Sequence, residues 1–474
     1  MPSSGATSPP PDAVGRVVRA LSWREPEQAF EHVRDDPHLV WLDSTGPVGP
    51  RSRYSYLCVD PFEIVRTGPG EDPFSLLADA LARWPEPAGD AGPMPFMGGA
   101  VGLLGYGAAH HLERLPRRHA DDPDVPEFWF GLFDLVLAFD RAESRCWLIS
   151  TGRPERDRDS RSNRARARAD WLENRLAKVL PVRCTPQPEL VWTPDLSAEA
   201  YAAMVERGLD YIRAGDIFQA NLTMRHVAVR PPQLDAGSVH LALRRINPAP
   251  FGAYLAWAPG CALCSTSPER FIRLEADGRV ETRPIKGTRP RPSDPGRNPE
   301  QDRQEAALLM SSSKDRAENL MIVDLMRNDI GRVAEFGSVT VPLLCELETF
   351  ATVHHLVSSI TAKLRPDADA VSLLRATFPG GSVTGAPKIR AMEIIDELEA
   401  SARGPYCGCI VWIGFDGAMD SSIVIRTLVL TGRQVVAQAG GGIVADSVAA
   451  QEHDEMLTKV APLLSVFSRT GRPT

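Results

Sequence analysis

The stretch Gly408-Cys-Ile-Val-Trp-Ile-Gly-Phe-Asp-Gly-Ala-Met-Asp-Ser-Ser-Ile-Val-Ile-Arg-Thr-Leu-Val-Leu-Thr-Gly-Arg-Gln-Val-Val-Ala-Gln-Ala439 indicates the fold class of the chain. It predicts three strands, at 408–415, 422–431 and 434–439, because apolar and β-branched runs are separated by Gly and Asp. No helix stands between these strands. Strands in direct succession, rather than in regular alternation with helices, favour an α+β fold with largely antiparallel sheets.

The rest of the chain adds helices and further strands in irregular order. Ser197 begins a predicted helix that ends at Gly215, because serine caps helix N-termini and glycine is typical of the residue after a helix. We also predict a Gly-rich pair of strands at 95–106 whose backbones approach closely. Residues 152–178, rich in Arg, Asp and Glu, are predicted to form a solvated helix or linker that ends in a helix at 169–178. The other predicted strands lie at 40–42, 54–59, 132–139, 219–229, 251–257 and 271–275, and the other predicted helices at 74–84, 298–309, 314–328, 387–400 and 448–466.

The composition is that of a globular protein with a sizeable core. The 474 residues include 43% hydrophobic and 24% charged side chains, which is ordinary for such proteins. The net charge of -8 argues against nucleic acid as a partner. No apolar run reaches the roughly 18 residues of a membrane span, so we expect no membrane partner and a cytoplasmic location.

Changes in composition divide the sequence into four regions. Residues 1–15 are Pro/Ser-rich and are expected to form a disordered tail. Residues 16–150 form an N-terminal region, 151–194 an Arg-rich helix and a linker, and 195–466 the region that carries the motifs described next. The cysteines at 261, 264, 407 and 409 are interpreted as buried free thiols rather than zinc ligands, because they lie in apolar, strand-like runs.

A lysine in Arg283-Pro-Ile-Lys-Gly-Thr-Arg289 is a candidate nucleophile. The chain holds only six lysines among its 53 basic residues. Lys286 stands between an apolar residue and a flexible glycine, and unlike an arginine it can lose its proton and attack carbon. A lysine solvated at the end of a strand would have the same local sequence, so the assignment depends on the other motifs.

Two pairs of acidic residues predict a metal site. Asp315 and Glu318 lie three residues apart on one predicted helix, and Glu452 and Glu455 on another, so each pair shares a helix face. Such pairs usually face solvent, but the apolar run 320–326 indicates that the first helix is largely buried. If the helices converge, the four carboxylates suit Mg²⁺, which prefers few protein carboxylates together with substrate oxygens.

Three features offer receptors for carboxylate groups. The loop Phe378-Pro-Gly-Gly-Ser-Val-Thr-Gly-Ala-Pro-Lys388 runs into a predicted helix, and free N–H groups at such a helix start bind carboxylate or phosphate. It lacks the Gly-Lys-Ser/Thr of a P-loop, which disfavours nucleotide. Ala439-Gly-Gly-Gly-Ile443 is a second Gly-rich segment, and Arg426 lies in an otherwise apolar strand, where a guanidinium requires an anion. With the predicted metal, these features indicate a small substrate with two carboxylates.

These motifs resemble those of the chorismate-utilising enzymes. The resemblance is strong over residues 197–465 and loose over 20–150. It rests on Gly215–Leu222, Ser267–Phe271, Pro284–Thr288, Asp315–Arg332, His355–Ser358, Phe378–Met392, Ile425–Thr427, Gln438–Val444 and Glu452–Lys459. The resemblance implies an α+β fold of two large, mostly antiparallel β-sheets packed face to face, with helices outside and the site between the sheets.

The resemblance also implies a role for each matching residue. Glu318 and Glu455 would hold Mg²⁺, and Asp315 and Glu452 would bind it directly or through water. Lys286, Glu269 and His355 would be catalytic, the last two beside the departing 4-hydroxyl, since hydroxide needs an acid to leave. The residues implied to bind the substrate are Thr384, Tyr406, Arg426, Gly440, Gly441, Gly442, Gln219 and Lys459.

Two positions indicate the reaction that the resemblance implies. Water-adding members carry a lysine where this chain has Gln219, and anthranilate-forming members carry an alanine in place of Lys286. The resemblance therefore implies amination of chorismate at C4, through a covalent bond to Lys286, giving 4-amino-4-deoxychorismate and leading to 4-aminobenzoate. Ammonia would come from a separate glutamine amidotransferase subunit, because this length contains no visible glutaminase.

Three alternatives remain open. An anthranilate-forming enzyme would also release pyruvate, and Lys286 argues against it. A related amination in an antibiotic-type pathway is hard to separate by chemistry alone. An inactive paralogue would serve only as a binding partner of the glutaminase, which the intact acids, Lys286 and His355 argue against.

Overall fold

The computed structural model describes residues 15–68, 70–86, 92–292, 298–349 and 353–468. The predicted tail, residues 1–15, therefore lies outside the described residues except at its last position. Numbered along the chain, the strands are β1 (Val17–Leu21), β2 (Val40–Asp43), β3 (Tyr54–Cys58), β4 (Glu63–Arg66), β5 (Gly99–Leu104), β6 (Phe128–Phe133), β7 (Leu135–Asp140), β8 (Arg145–Ser150), β9 (Thr193–Pro194), β10 (Gln219–Val229), β11 (Phe251–Ala258), β12 (Cys261–Ser267), β13 (Arg270–Leu274), β14 (Arg279–Thr282), β15 (Ile285–Pro290), β16 (Thr340–Thr349), β17 (Val353–Lys363), β18 (Gly385–Ala386), β19 (Cys409–Gly414), β20 (Met419–Ile423), β21 (Thr427–Leu430) and β22 (Gln434–Ile443).

The helices occupy the intervals between these strands. They are α1 (Pro26–Val33), α2 (Pro73–Ala82), α3 (Arg158–Leu176), α4 (Ala198–Arg213), α5 (Ala236–Ile246), α6 (Pro299–Ser311), α7 (Ser313–Gly331), α8 (Ala370–Thr377), α9 (Lys388–Leu398) and α10 (Ala449–Ser465), with short 3-10 turns at Tyr106–His111 and Gly381–Val383. The predicted start of α4 is confirmed, because the Ser197 side chain accepts a 3.1 Å hydrogen bond from the Ala200 N–H. Gly215 follows the helix with a φ of +82°.

The strands form two antiparallel sheets. The larger sheet has the order β1-β8-β7-β3-β2-β11-β12-β21-β22-β10-β18, with β9 beside β10. The smaller sheet has the order β15-β17-β14-β13-β20-β19-β5-β6-β4, with β16 beside β17. Strands from 16–150 and from 195–466 occur together in both sheets, since β2 pairs with β11 in one and β5 with β19 in the other. The division into regions stays a prediction from the sequence.

The two sheets pack face to face over a shared hydrophobic core. Val40 and Leu263 of the larger sheet lie in one buried cluster with Val101, Trp129 and Ile410 of the smaller sheet. The outer face of the larger sheet is covered mainly by α1, α3, α4, α5, α9 and α10, and that of the smaller sheet mainly by α2, α7 and α8. The predicted fold of two large antiparallel sheets with helices outside is confirmed.

One apolar run that we predicted as a single strand is two strands. The run 132–139 breaks at Asp134, so that β6 belongs to the smaller sheet and β7 to the larger. Asp134 is fully buried, and one of its carboxylate oxygens lies 3.0 Å from the Arg168 guanidinium. The prediction of one strand was wrong because a continuous apolar run does not reveal where a chain passes from one sheet to another.

The predicted strand at 422–431 is also divided between the sheets. It ends as β20 at Ile423 and resumes as β21 at Thr427, so Arg426 lies between strands rather than within one. Its φ of +52° marks the bend. The prediction of an arginine inside a continuous strand was therefore wrong, although the residue is partly buried as expected.

The Gly-rich segment 95–106 forms one central strand, β5, and not a strand pair of its own. The predicted close approach of backbones is confirmed, because a Cβ atom at Gly99 or Gly102 would lie 2.0 Å from the carbonyl oxygen of Ile413 or Trp129, respectively. The eight cysteines are free. None of the helices in the described ranges is long and apolar enough to cross a membrane.

Candidate active site

Lys286 lies in β15, the edge strand of the smaller sheet, at an irregularity in its pairing with β17. Ile285 pairs with Val357, and the next pair is Thr288 with His355, so three steps along β15 oppose two steps along β17. A bulge of this kind bends a strand and re-aims a side chain. The bulge therefore sets the direction of the Lys286 side chain.

Gly287, the other residue of the bulge, brings β15 close to two helices. Its φ is +86°, a conformation that other residues rarely adopt. A Cβ atom there would lie 2.9 Å from the Asp315 Cβ and 3.0 Å from the Leu309 Cδ1. Glycine thus allows the first turn of α7, with Asp315, to rest on the backbone beside Lys286.

The Lys286 amine reaches the last strands of the larger sheet. A Cβ atom at Gly442 would lie 3.5 Å from the lysine Nζ and 2.7 Å from the Gln219 Nε2. Burial of the amine lowers the pKa of Lys286, while the carboxylates of Glu318 and Glu269 act in the opposite direction. A lowered pKa leaves more of the amine neutral and able to act as a nucleophile.

Gln219 begins β10 and is fully buried. Neither its amide nitrogen nor its amide oxygen makes a hydrogen bond within the described residues. Burying an amide without a partner costs free energy. The unpaired amide beside the Lys286 amine therefore indicates a place where a polar ligand completes the structure.

The glycines at 440–442 lie in β22 and pair with β10. A Cβ atom at Gly440 would lie 2.2 Å from the Leu222 carbonyl oxygen. At Gly441 it would lie 3.0 Å from the Glu452 Oε2 and 3.8 Å from the Glu455 Oε1. The absence of side chains on this segment therefore lets the acids of α10 approach the strand.

Lys459 and Arg426 lie beside the same segment. The Lys459 ammonium donates a 2.9 Å hydrogen bond to the Gly440 carbonyl oxygen and lies 2.5 Å from the Glu455 Oε1. Arg426 donates through Nη1 to the Lys459 carbonyl oxygen at 2.8 Å, its only donated hydrogen bond within the described residues. Burial lowers the pKa of Arg426, while the charges of Glu455 and of Tyr406, a buried residue, act to raise it. The other guanidinium N–H groups are available to an anion.

Glu318 of α7 and Glu452 of α10 lie close enough for their charges to interact. Burial raises the pKa of Glu318, and Glu452 is among the charges that raise it further. Burial also raises the pKa of Glu452, although the Ser447 hydroxyl donates a 2.6 Å hydrogen bond to its Oε1. For Glu455 burial acts in the same direction, but the lysines at 459, 286 and 314 together outweigh it and lower the pKa.

The four acids of α7 and α10 are the candidate ligands for a metal ion. Within the described ranges, no group of three or more His, Cys, Asp or Glu side chains is arranged to hold a metal ion. All four predicted ligands are carboxylates, the donors that Mg²⁺ prefers. Burial raises the pKa values of Glu318 and Glu452 although nearby lysines oppose it, and a bound dication would favour their ionised forms. The set therefore fits Mg²⁺ if another ligand, such as a substrate carboxylate, completes it.

The two predicted acids, Glu269 and His355, lie on different segments: Glu269 immediately precedes β13, and His355 belongs to β17. Burial raises the pKa of Glu269, while a hydrogen bond from Ser382 and the charge of Lys286 lower it. His355 lies on β17, where its Nδ1 is 2.8 Å from the Thr288 Oγ1. Burial lowers the pKa of His355. Glu269 is thus the group that retains its proton to higher pH than an ordinary carboxyl.

Thr384 belongs to the Gly-rich loop that leads into α9. Its carbonyl oxygen accepts a 2.7 Å hydrogen bond from the Asn221 N–H of β10. Its hydroxyl donates a 3.0 Å hydrogen bond to the Gly380 carbonyl oxygen. These contacts fix the loop against the strand that carries Gln219.

The structure therefore brings most of the predicted site residues together where β15 and α7 approach β10, β22 and α10, and their roles stay predictions. His355 contacts the Thr288 hydroxyl and the Gly287 backbone, both close to Lys286 along β15. Sequence reasoning missed Ser382, although a hydroxyl inside a Gly-rich loop was a usable signal. It also missed the buried pair Glu399 and Arg403, which only their spacing of four residues could have indicated.

Comparison with protein families places this geometry in context. Residues 38–465 match the family described as chorismate binding enzyme. The chain belongs to the chorismate binding enzyme family. The resemblance found in the motifs is confirmed.

Relatives of this chorismate binding enzyme carry two kinds of name. Aminodeoxychorismate synthase component 1 of Salmonella typhimurium is 42% identical over 468 residues, which cover 94% of this chain and 97% of the relative. Anthranilate synthase component 1 of Streptomyces coelicolor is 40% identical over 457 residues, covering 94% of this chain and 86% of the relative. The crystal structure of anthranilate synthase component I from Streptococcus pneumoniae is 30% identical, with a TM-score of 0.77, and covers 88% of this chain and 93% of that one.

Proposed function

We propose that this chain aminates chorismate at C4 to give 4-amino-4-deoxychorismate, a precursor of 4-aminobenzoate. The observation that carries the proposal is the position of the Lys286 amine beside Gly442 and Gln219, within electrostatic reach of the carboxylates of Glu318, Glu269 and Glu455. The similarity to an aminodeoxychorismate synthase component 1 over nearly the whole chain supports the same reaction.

In the first step the neutral Lys286 amine attacks C2 of the chorismate ring. As the N–C2 bond forms, the two ring double bonds shift and the C4–O bond breaks. The departing hydroxyl takes a proton and leaves as water, and the lysine nitrogen loses one proton in exchange. Burial of Lys286 supports this step, because it lowers the pKa of the amine.

In the second step ammonia adds to C4. The double bonds shift back and the N–C2 bond breaks, which returns the lysine amine and leaves an amino group at C4. The overall change is chorismate plus ammonia to 4-amino-4-deoxychorismate plus water.

We assign the protonation of the departing hydroxyl to Glu269. Hydroxide is a poor leaving group, so an acid must meet it. Glu269 suits this part because burial raises its pKa. We assign to His355, whose pKa burial lowers, the part of holding the departing hydroxyl by a hydrogen bond.

We assign the enolpyruvyl carboxylate to Arg426 and Tyr406, with the backbone of the Gly440–Gly442 segment and the Lys459 ammonium nearby. Arg426 has N–H groups left for a bidentate contact, which its planar fork favours. Gln219 and Thr384 would meet the ring, and the unpaired amide of Gln219 supports this assignment.

We assign Mg²⁺ to Glu318 and Glu455, with Asp315 and Glu452 binding it directly or through water. When bound, the ion would neutralise the ring carboxylate and so favour the movement of ring electrons. The four acids would hold the ion between α7 and α10.

We assign the supply of ammonia to a separate glutamine amidotransferase subunit. The name of the Salmonella typhimurium relative, component 1, denotes one part of a larger enzyme. We also propose a cytoplasmic location, which the eight free cysteines support, because thiols stay reduced there.

The test is to incubate the protein with chorismate, Mg²⁺ and ammonium and to separate the products. We expect 4-amino-4-deoxychorismate from the wild type, none from Lys286→Ala, and the wild-type amount from Lys178→Ala, a change at an exposed lysine. Without ammonium, intact-mass analysis is expected to detect an adduct on the wild type only. An undiminished yield from Lys286→Ala would remove the covalent step, and an unreactive wild type would remove the function.

Anthranilate formation is the second candidate, favoured by the 40% identity to the Streptomyces coelicolor anthranilate synthase component 1. That reaction would release pyruvate and anthranilate in equal amounts. We expect neither from the wild type in the same incubation, so detection of both would select this candidate.

A further inference from the structure

Arg403 and Glu399 form a buried ion pair at the end of α9. Their side chains are 1% and 4% exposed, and two hydrogen bonds of 2.9 and 2.6 Å join the guanidinium to both carboxylate oxygens. Removing two charges from water costs free energy that their attraction often fails to recover. Stability alone therefore gives a weak reason for this pair.

The guanidinium also joins two segments that line the candidate site. Arg403 Nη1 donates a 2.9 Å hydrogen bond to the Val383 carbonyl oxygen, and Nη2 donates to the Asn221 carbonyl oxygen. Val383 immediately precedes Thr384, and Asn221 pairs with Gly442 in the sheet. The Arg403 side chain thus fixes the separation between the loop that carries Thr384 and β10, the strand that pairs with Gly440–Gly442.

The carboxylate extends the same connection to β22. The Thr223 hydroxyl donates a 2.8 Å hydrogen bond to the Glu399 Oε1 and accepts one of 2.8 Å from the Gln438 Nε2. Thr223 pairs with Gly440, and Gln438 lies two residues before it. The network therefore fixes β10 and β22, the two strands that lie beside the Lys286 amine.

The backbone of Arg403 adds a third segment. Its carbonyl oxygen accepts a 3.1 Å hydrogen bond from the Tyr406 N–H, and its guanidinium lies 4.6 Å from the Tyr106 ring centroid. The guanidinium makes four hydrogen bonds to Glu399, Val383 and Asn221. With four of its five N–H groups engaged, Arg403 is not an additional anion receptor.

We propose that Arg403, oriented by Glu399, is a positioning residue that sets the width of the chorismate site. It acts by fixing the distance between the Thr384 loop, the Gly440–Gly442 strand and Tyr406. The proposal rests on the proposed function, because a change in the width of the site is measured through the binding of chorismate. A lysine at position 403 could not make the same four contacts, since an ammonium is a single point of charge.

The test compares Arg403→Lys with a matched control, Arg34→Lys. Arg34 is also 1% exposed, pairs with the buried Glu31 three residues away, and donates to a backbone carbonyl, that of Arg183. We expect both variants to lose thermal stability. Only Arg403→Lys is expected to raise the KM for chorismate by about tenfold or more, because misplacement of binding groups weakens binding even when the fold survives.

Two milder variants keep the test decisive if Arg403→Lys does not fold. Glu399→Gln removes the charge but keeps an acceptor, and Thr223→Val removes the two hydrogen bonds of the Thr223 hydroxyl, to Glu399 and from Gln438. Each is expected to raise the KM for chorismate more than it lowers kcat. An unchanged KM in variants that fold and have lost stability would overturn the proposal. If the wild type does not convert chorismate, the proposed function fails instead.

Discussion

Lys286 faces Gly442 across the candidate site, since a Cβ atom at position 442 would lie 3.5 Å from the lysine Nζ and 2.7 Å from the Gln219 Nε2. A methyl group there would displace the Gln219 amide and occupy space next to the amine. We expect Gly442→Ala to fold and to reduce kcat/KM for chorismate by about tenfold or more, because small displacements of reacting groups are costly. Steady-state kinetics with ammonium as the nitrogen source would measure this.

Gly432→Ala is the control for that substitution. Gly432 precedes the same strand, β22, and a Cβ atom there would meet no heavy atom within 4 Å. We expect wild-type kinetics from it. Equal kinetics in both alanine variants would contradict the close packing at position 442.

The pKa of the Lys286 amine can be measured without catalysis. Burial lowers this pKa, and the charge of Lys459 lowers it further. Acetic anhydride reacts only with neutral amines, so labelling at a series of pH values, read by mass spectrometry, gives the titration of each lysine. We expect Lys286 to be labelled from a lower pH than free lysine, and from a higher pH in Lys459→Met than in the wild type. A wild-type midpoint equal to that of free lysine would contradict the environment described.

Gln219 is expected to lower stability in the absence of substrate. Its buried amide has no partner within the described residues, so Gln219→Met, which is similar in shape and apolar, should raise the free energy of unfolding by about 1–2 kcal/mol. The same variant should bind chorismate more weakly. Urea unfolding and KM measurements would test both parts.

Gln438→Met is the matched control, because the Gln438 amide donates a hydrogen bond to Thr223. We expect this variant to be less stable than the wild type. A loss of stability in Gln219→Met as well would mean that the Gln219 amide has a partner.

Asp134 predicts a specific dependence of stability on pH. Burial raises its pKa from 3.8 to about 6, although Arg168 and Arg164 oppose this. A carboxyl with a raised pKa in the folded state stabilises the fold most when protonated, so this contribution is complete below about pH 4 and is lost as the pH rises through 6. Relative to Asp134→Asn, the wild type should lose about 3 kcal/mol of unfolding free energy over that interval. Urea unfolding at several pH values would measure the difference, and a constant difference would contradict the shift.

The fold and the membership of the family could be predicted because they rest on local patterns and on motifs. Ser197, the acidic pairs and the Gly-rich segments are visible as residue types at fixed spacing. The passage between sheets at Asp134 and at Arg426 could not be predicted, because apolar runs look alike whichever sheet receives them. Both errors joined two strands into one at a bend.

The arrangement of the candidate site was predictable only in part. Lys286, Gln219 and Gly442 are far apart in sequence and meet because β15 of the smaller sheet approaches β10 and β22 of the larger. The bulge at Lys286 arises from the pairing of β15 with β17. The residue pattern of β15 alone does not show where that pairing shifts. The network of Arg403 was not predicted, because a buried ion pair and a solvated one have the same local sequence.

The pairing of β5 with β19 has a consequence for how the protein is made. β5 is synthesised early, whereas its neighbour β19 comes near the end of the sequence, and β5 is apolar and fully buried in the finished sheet. Long-range pairing of this kind slows folding, and exposed apolar strands promote aggregation while they wait. We therefore expect the first half of the chain to be prone to aggregation until the second half has emerged from the ribosome.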